Sequence, residues 1–289
     1  MRARMRPSRH RAIRGQPAEM STLLPGLAAC LFYLASLSAQ LLGLHESKSR
    51  GYALRLSMGL AAPALLLHML ALGATMQTPA GLDFSLFNAA SLVFWVIALL
   101  AWAASFRMPL ANLLLILYPL TIVALLTSLF LSTPVSTRTA PGPGLGLHIL
   151  LSILAYSILS IAAVQAAALG LLINRLKHRR LHGVVDMMPP LATMELLLFR
   201  LIWTGEVLLT GAIATGAVFV EDMFAQHLAH KTVLSIIAWL VFAILLAGRH
   251  RLGWRGMTAI KWTLSGAGLL VLAYFGSKFV LEMLLGIAA

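Results

Sequence analysis

The sequence predicts an all-α, polytopic transmembrane helix bundle of about eight spans with both termini outside, and three observations predict it. Of 289 residues, 60% are hydrophobic and 11% charged, well above the roughly 45–50% apolar content of a soluble domain. The apolar residues gather into runs near the roughly 20 needed to cross a bilayer. The basic residues fall between those runs and are abundant in every second connection.

The runs lie at 23–44, 56–76, 87–106, 111–131, 147–173, 196–220, 231–247 and 260–281. Hydrocarbon offers no partner to a bare backbone N–H or C=O, so continuous runs of this length are helices, whereas barrel strands read as short alternating segments. Connections after the first, third, fifth and seventh runs, with the adjoining run ends, carry twelve lysines and arginines, among them Lys48, Arg107, Arg175 and Arg249; the opposite connections and their adjoining ends carry Arg138 and Lys231. The positive-inside bias turns the basic side to the cytoplasm and places both ends of the chain outside. The tail "MRARMRPSRHRAIRG", with six arginines, opposes that orientation. The preferred reading puts the biological start at Met20, with residues 1–19 a basic extension ahead of one transmembrane domain, 20–289. A rival reading takes the tail and first run as a signal peptide cut after Ala39, which leaves the remaining spans in the same orientation.

Composition narrows the function classes. The net charge of +13 is topogenic in its placement, so the partner is the lipid bilayer and not nucleic acid. One cysteine, Cys30, allows neither an intramolecular disulfide nor a thiolate metal cluster. There is no HExxH, CxxC, P-loop, dinucleotide fingerprint or GxSxG elbow, and no enzymatic turnover is expected. "NRLKHRRLHGVVDMMPPLATME" reads as an inner loop ended by Pro189 and Pro190, and "STPVSTRTAPGPGLG" as a turn-rich outer loop.

Histidines sort by depth. His148 opens the fifth run at the outer face, and His227 and His230 precede the seventh at the same face. His68 lies inside the second run, roughly 12 Å from its outer end, and His250 closes the seventh run on the inner side. Neutral imidazole ligates iron, copper or zinc, and haem b suits this setting because a large apolar ring with one or two axial ligands fits between helices. His148 with His230 is the candidate pair of axial ligands. His230 and His250 are twenty residues apart, about 30 Å along a helix, and do not share one iron. His10, His45, His178 and His182 read as headgroup residues, and "HLAH" gives two ligands where a structural zinc takes four.

Other polar groups lie in the spans. Arg200 and Glu206 are about 240° apart round a helix and cannot pair on one face; Glu206 points into the bundle as a proton carrier or an inter-helix hydrogen-bonding group. Gly205, Gly211 and Gly216 suit close helix contact. Tyr274, Lys278 and Glu282 follow an i, i+4, i+8 line with an intrahelical Lys278–Glu282 pair. Trp95, Trp102, Trp203, Trp239 and Trp262 read as belt or packing aromatics. Pro63 and Pro119 are candidate helix breaks of the kind transporters use.

The succession "LHILLSILAYSILSIAAVQAAALGLLI", "LLTGAIATGAVF" and "HKTVLSIIAWLVFAILLAGRHRLGWRG" resembles the cytochrome c assembly superfamily of haem-handling membrane proteins, the CcsA, CcmC and CcmF group, over a core of about 147–281. "MPPL" and "LAYFGSKFV" extend the likeness to its small YpjD branch over nearly the whole chain. The resemblance implies a bacterial inner-membrane protein that carries haem and presents it at the outer face, working with other cytochrome c assembly proteins. In the family an outer WGxxWxWDxKExW segment cradles haem between flanking histidines. Lys231 falls at that motif's lysine, Trp239 at a later tryptophan, and His148 at the outer histidine opening the preceding span. His230 substitutes for the second outer histidine by position and chemistry, and His68 corresponds to a membrane-embedded one. "VEDMFAQHLAHKT" holds no tryptophan and has Thr232 at the motif's glutamate, so haem binding or transport without attachment is the expected activity. The alternative is a transporter or accessory subunit for another small solute or ion, with His68, Glu206 and Arg200 as its polar path. A cytochrome b-like carrier would need histidines paired at one depth, and His68 has no evident partner.

Overall fold

The computed structural model describes residues 20–45, 50–79, 81–131, 137–138, 142–178, 188–219 and 226–284. The basic tail 1–19, with His10, and the segment containing His182 lie outside them. Eight α-helices follow in order: α1 (Met20–His45), α2 (Arg50–Met76), α3 (Leu86–Ser105), α4 (Ala111–Phe130), α5 (Pro143–Lys177), α6 (Leu191–Phe219), α7 (Gln226–Leu252) and α8 (Met257–Val271). Each includes a stretch long and apolar enough to span a bilayer, α8 together with its continuation to Gly276. The runs read from sequence are thus helices, with α5 extending beyond its run at both ends. Pro63 and Pro119 sit inside unbroken α2 and α4, so the breaks expected there do not occur. After Val271 the last helix widens into π-helical turns at Leu272–Gly276 and Phe279–Leu284.

The helices pack mainly as α1 against α2 and α4, α3 against α4, α5 against α6, and α7 against α8; α3 and α8 also pack on α5. Tryptophan does more than line the surface. Trp95 and Trp102 are seven residues apart on one face of α3 and donate their indole N–H groups to the carbonyls of Leu65 and Met58 on α2, each at 2.9 Å. Two hydrogen bonds in matching heptad register clamp these helices where no hydrophobic effect is available to do so. Between α7 and α8, Gly253 and Gly256 take positive φ values of 66° and 57°, a conformation that glycine adopts without the steric cost borne by other residues.

The antiparallel pair α5/α6 depends on small residues. A Cβ placed on Gly205 would come within 2.6 Å of the Leu159 side chain, which is fully buried. Gly205→Ala therefore forces the helices apart, and we expect a loss of about 1–3 kcal/mol, typical of overpacking, read as a lower melting temperature in detergent. Gly211→Ala, whose Cβ would meet Leu151 at 3.3 Å, should cost less.

Helix direction alternates, so the ends of α2, α4, α6 and α8 and the starts of α3, α5 and α7 gather at one face. A small antiparallel sheet covers part of it: β1 (Gln77–Thr78) pairs with β2 (Gly81–Asp83), which pairs with β3 (Thr137–Arg138). β3 comes from the outer loop whose composition predicts turns alone.

Candidate functional site

A cavity of about 350 Å³ opens at this face between the start of α3 and helices α5 to α8, within the roughly 300–1,000 Å³ range of small-molecule and cofactor sites. One stripe of α5 supplies its functional groups. His148, Ser152 and Tyr156 recur at i, i+4 and i+8 and all line the cavity, because residues four apart share a helix face. Opposite them stand Lys231 on α7 and Tyr274 and Lys278 on the widened end of α8, while Leu209, Ala212 and Gly216 of α6 form a mostly aliphatic wall.

The His148 ring is held in place. Its Nδ1 lies 2.8 Å from the carbonyl oxygen of Ala212. A carbonyl accepts only, so Nδ1 donates, and in the neutral ring Nε2 carries the lone pair, the arrangement found in metal-ligating histidines.

Lys278 lies on the cavity wall and is itself tied back. Its Nζ is 3.0 Å from Glu282 Oε1 and 2.5 Å from the carbonyl of Phe84, and both side chains are buried. The intrahelical pair expected from sequence is present, and it reaches further. Glu282 Oε2 accepts from the backbone N–H of Leu86 at 2.6 Å, placing a carboxylate at the start of α3, where free N–H groups and the helix dipole favour one. Beside it, Asp83 accepts from Ser85 and Asn88, and Asn88 accepts from Ser128 on α4. The cavity rim is thus built on hydrogen-bonded polar groups from three helices and a strand.

The remaining candidates lie elsewhere. His230 is exposed and does not line the cavity, although its neighbour Lys231 does. His227 is in the first turn of α7, its side chain outside the described residues. Trp239 does not line the cavity; its indole N–H donates to Thr210 of α6 at 2.9 Å. His250 is exposed in the last turn of α7, at the opposite face. His68 is fully buried in the other half of the bundle, with Nε2 3.0 Å from Ser91 Oγ and Nδ1 3.4 Å from Tyr33 Oη, so both ring nitrogens are engaged. Arg200 is exposed. Glu206 is buried at 6% exposure, and among the described residues neither of its carboxyl oxygens has a hydrogen-bond partner. Glu195, on the same face of α6, accepts from Gly256 N–H at 3.0 Å and approaches Arg249 and Arg255, anchoring the α7–α8 turn. Among the described residues no group of three His, Cys, Asp or Glu side chains is arranged to hold a metal ion.

Of the residues singled out from sequence, His148 and Lys231 line the cavity, and among the described residues no other histidine does; Ser152 and Tyr156 line it too and lie outside the sequence-based candidates. The signal was available: "HILLSILAY" carries His, Ser and Tyr at four-residue spacing on one face.

The family model described as Cytochrome C assembly protein matches residues 53–285. Inner membrane protein YpjD of Escherichia coli strain K12 is 34% identical over 260 residues, 89% of this chain and 98% of that protein. An uncharacterized 28.8 kDa protein of Azospirillum brasilense is 36% identical over 155 residues, 53% of this chain and 57% of its own. No solved structure matches.

Proposed function

Since this chain belongs to the cytochrome c assembly protein family, we propose that it is a multi-pass bacterial inner-membrane protein that binds haem b in the cavity at its outer face. The observation that carries the reading is His148: an imidazole oriented by the Ala212 carbonyl, at the wall of a largely apolar cavity that also presents two lysines.

The residues fit such a group. His148 Nε2 would ligate the iron. Lys231 is placed to attract a propionate, and Tyr156, Tyr274 and Phe84 offer apolar, aromatic surface to the ring. Bound there, haem supplies a ligatable metal and a redox-active ring; the chain's part is to orient it, screen it from water and hold its carboxylates. The aromatic surface comes from α5, α8 and the residue preceding Ser85, and not from the tryptophan-rich outer segment that the family uses for attachment. That difference favours carriage or storage of haem, in concert with other assembly proteins, over covalent attachment.

Haem titration of the detergent-purified protein, read by visible spectrum and pyridine haemochrome, tests this. The wild type should bind about one b-type haem per chain, within the capacity of a single cofactor pocket. Ser152→Trp, which fills the cavity from its α5 wall, should bind none, while His68→Ala and His250→Ala should bind as the wild type does. A wild type that stays colourless when haem is offered, or a Ser152→Trp variant that colours equally, would sink the proposal.

A further inference from the structure

We infer that Glu206 is a proton-binding site at the foot of the cavity, exchanging its proton with water through the cavity mouth. The inference does not depend on haem as the cargo. Glu206 precedes Leu209 by three residues and Ile213 by seven on one face of α6, and both of those line the cavity. Its carboxyl is therefore about one turn deeper, on the same stripe.

Two facts single it out. Burial of an ionised carboxylate without a partner is among the costliest arrangements in a membrane protein, yet both Glu206 oxygens lack a hydrogen-bonding partner among the described residues. The other two glutamates described in helices are both satisfied: Glu195 by Arg249, Arg255 and the Gly256 N–H, and Glu282 by Lys278 and the Leu86 N–H. The ligand class follows from the donor count. A metal cation needs several oxygens, and no cluster of three metal-ligating side chains exists among the described residues. A proton needs one oxygen.

The route to water runs past Leu209. The titratable groups between Glu206 and the mouth are Tyr156 and His148 on α5, Lys231 on α7, and Tyr274 and Lys278 on α8, the last paired with Glu282. Arg200 is exposed on another face of α6, and Glu195 lies three turns inward, bound to its own cations.

Dicyclohexylcarbodiimide, an apolar reagent that couples to protonated carboxyls, provides the test on the folded full-length chain in detergent. Peptide mass spectrometry should find the adduct on Glu206 and not on Glu195 or Glu282, with a rate that falls as pH rises from about 5 to about 9. Leu209→Ala should speed labelling severalfold. Glu206→Gln should remove the adduct, and it should also remove a carboxylic-acid carbonyl band from the infrared spectrum, which reports the proton independently of reagent access. An infrared difference between wild type and Glu206→Gln that lacks this band throughout the pH range overturns the proton site. Labelling unchanged by Leu209→Ala in a protein that melts normally overturns the route through the cavity.

Discussion

Replacing His148 with glycine should weaken haem binding by more than about 100-fold, and millimolar imidazole should restore it. The expectation exceeds the 10–100-fold typical when only a supporting residue of a metal ligand is lost, because the ligand itself goes. Rescue separates ligation from packing. The glycine leaves a gap beside the Ala212 carbonyl, and free imidazole can donate one nitrogen to that oxygen, as His148 does now at 2.8 Å, while presenting the other to iron. A variant that melts like the wild type and regains its spectrum with imidazole identifies His148 as an axial ligand. Unchanged haem binding in His148→Gly would remove His148 from the site and with it the main support for the proposed function.

The second large effect is on stability. Lys278 and Glu282 are both almost wholly buried at 3.0 Å separation, so removing either leaves an uncompensated charge, a loss of about 3–5 kcal/mol. Glu282→Leu should show it as a steep fall in detergent melting temperature, compounded by the freed N–H at the start of α3. Lys278→Met should do the same. The double variant Lys278→Met/Glu282→Leu should recover most of the loss, since replacing a buried pair by apolar residues is often nearly neutral. Additive losses in the double variant would show that the two side chains act separately, through Phe84 and Leu86, and not as a pair.

What the sequence made legible follows from the solvent. A bilayer demands continuous apolar runs and an uneven distribution of lysine and arginine, so all eight helices could be read from one-dimensional pattern, within a few residues at most ends. Side-chain destinations are another matter, because a membrane helix is apolar all round and its periodicity does not mark the inward face. Depth in the apolar run distinguishes His68 from His148 in sequence, but only the neighbours at Ser91 and Tyr33, or at Ala212, separate a histidine with both nitrogens engaged from one with a nitrogen to offer. His230 and Lys231 are adjacent, and about 100° of helical rotation divides them between bulk surroundings and the cavity wall. The i, i+4 spacing of Lys278 and Glu282 gave the pair, but its bonds to Phe84 and Leu86, nearly two hundred residues earlier, have no local signature. Glu206 was legible as an inward group, while its lack of a hydrogen-bond partner among the described residues was not.

That long-range closure also sets an order of events in the cell. Chains emerge from synthesis N-terminus first, and α3, which supplies one wall, is made long before the turns carrying Lys278 and Glu282. Until those turns reach Phe84 and Leu86, the helix start lacks its carboxylate and the cavity lacks one side. The pocket is therefore a late product of biogenesis, closed only in a finished chain.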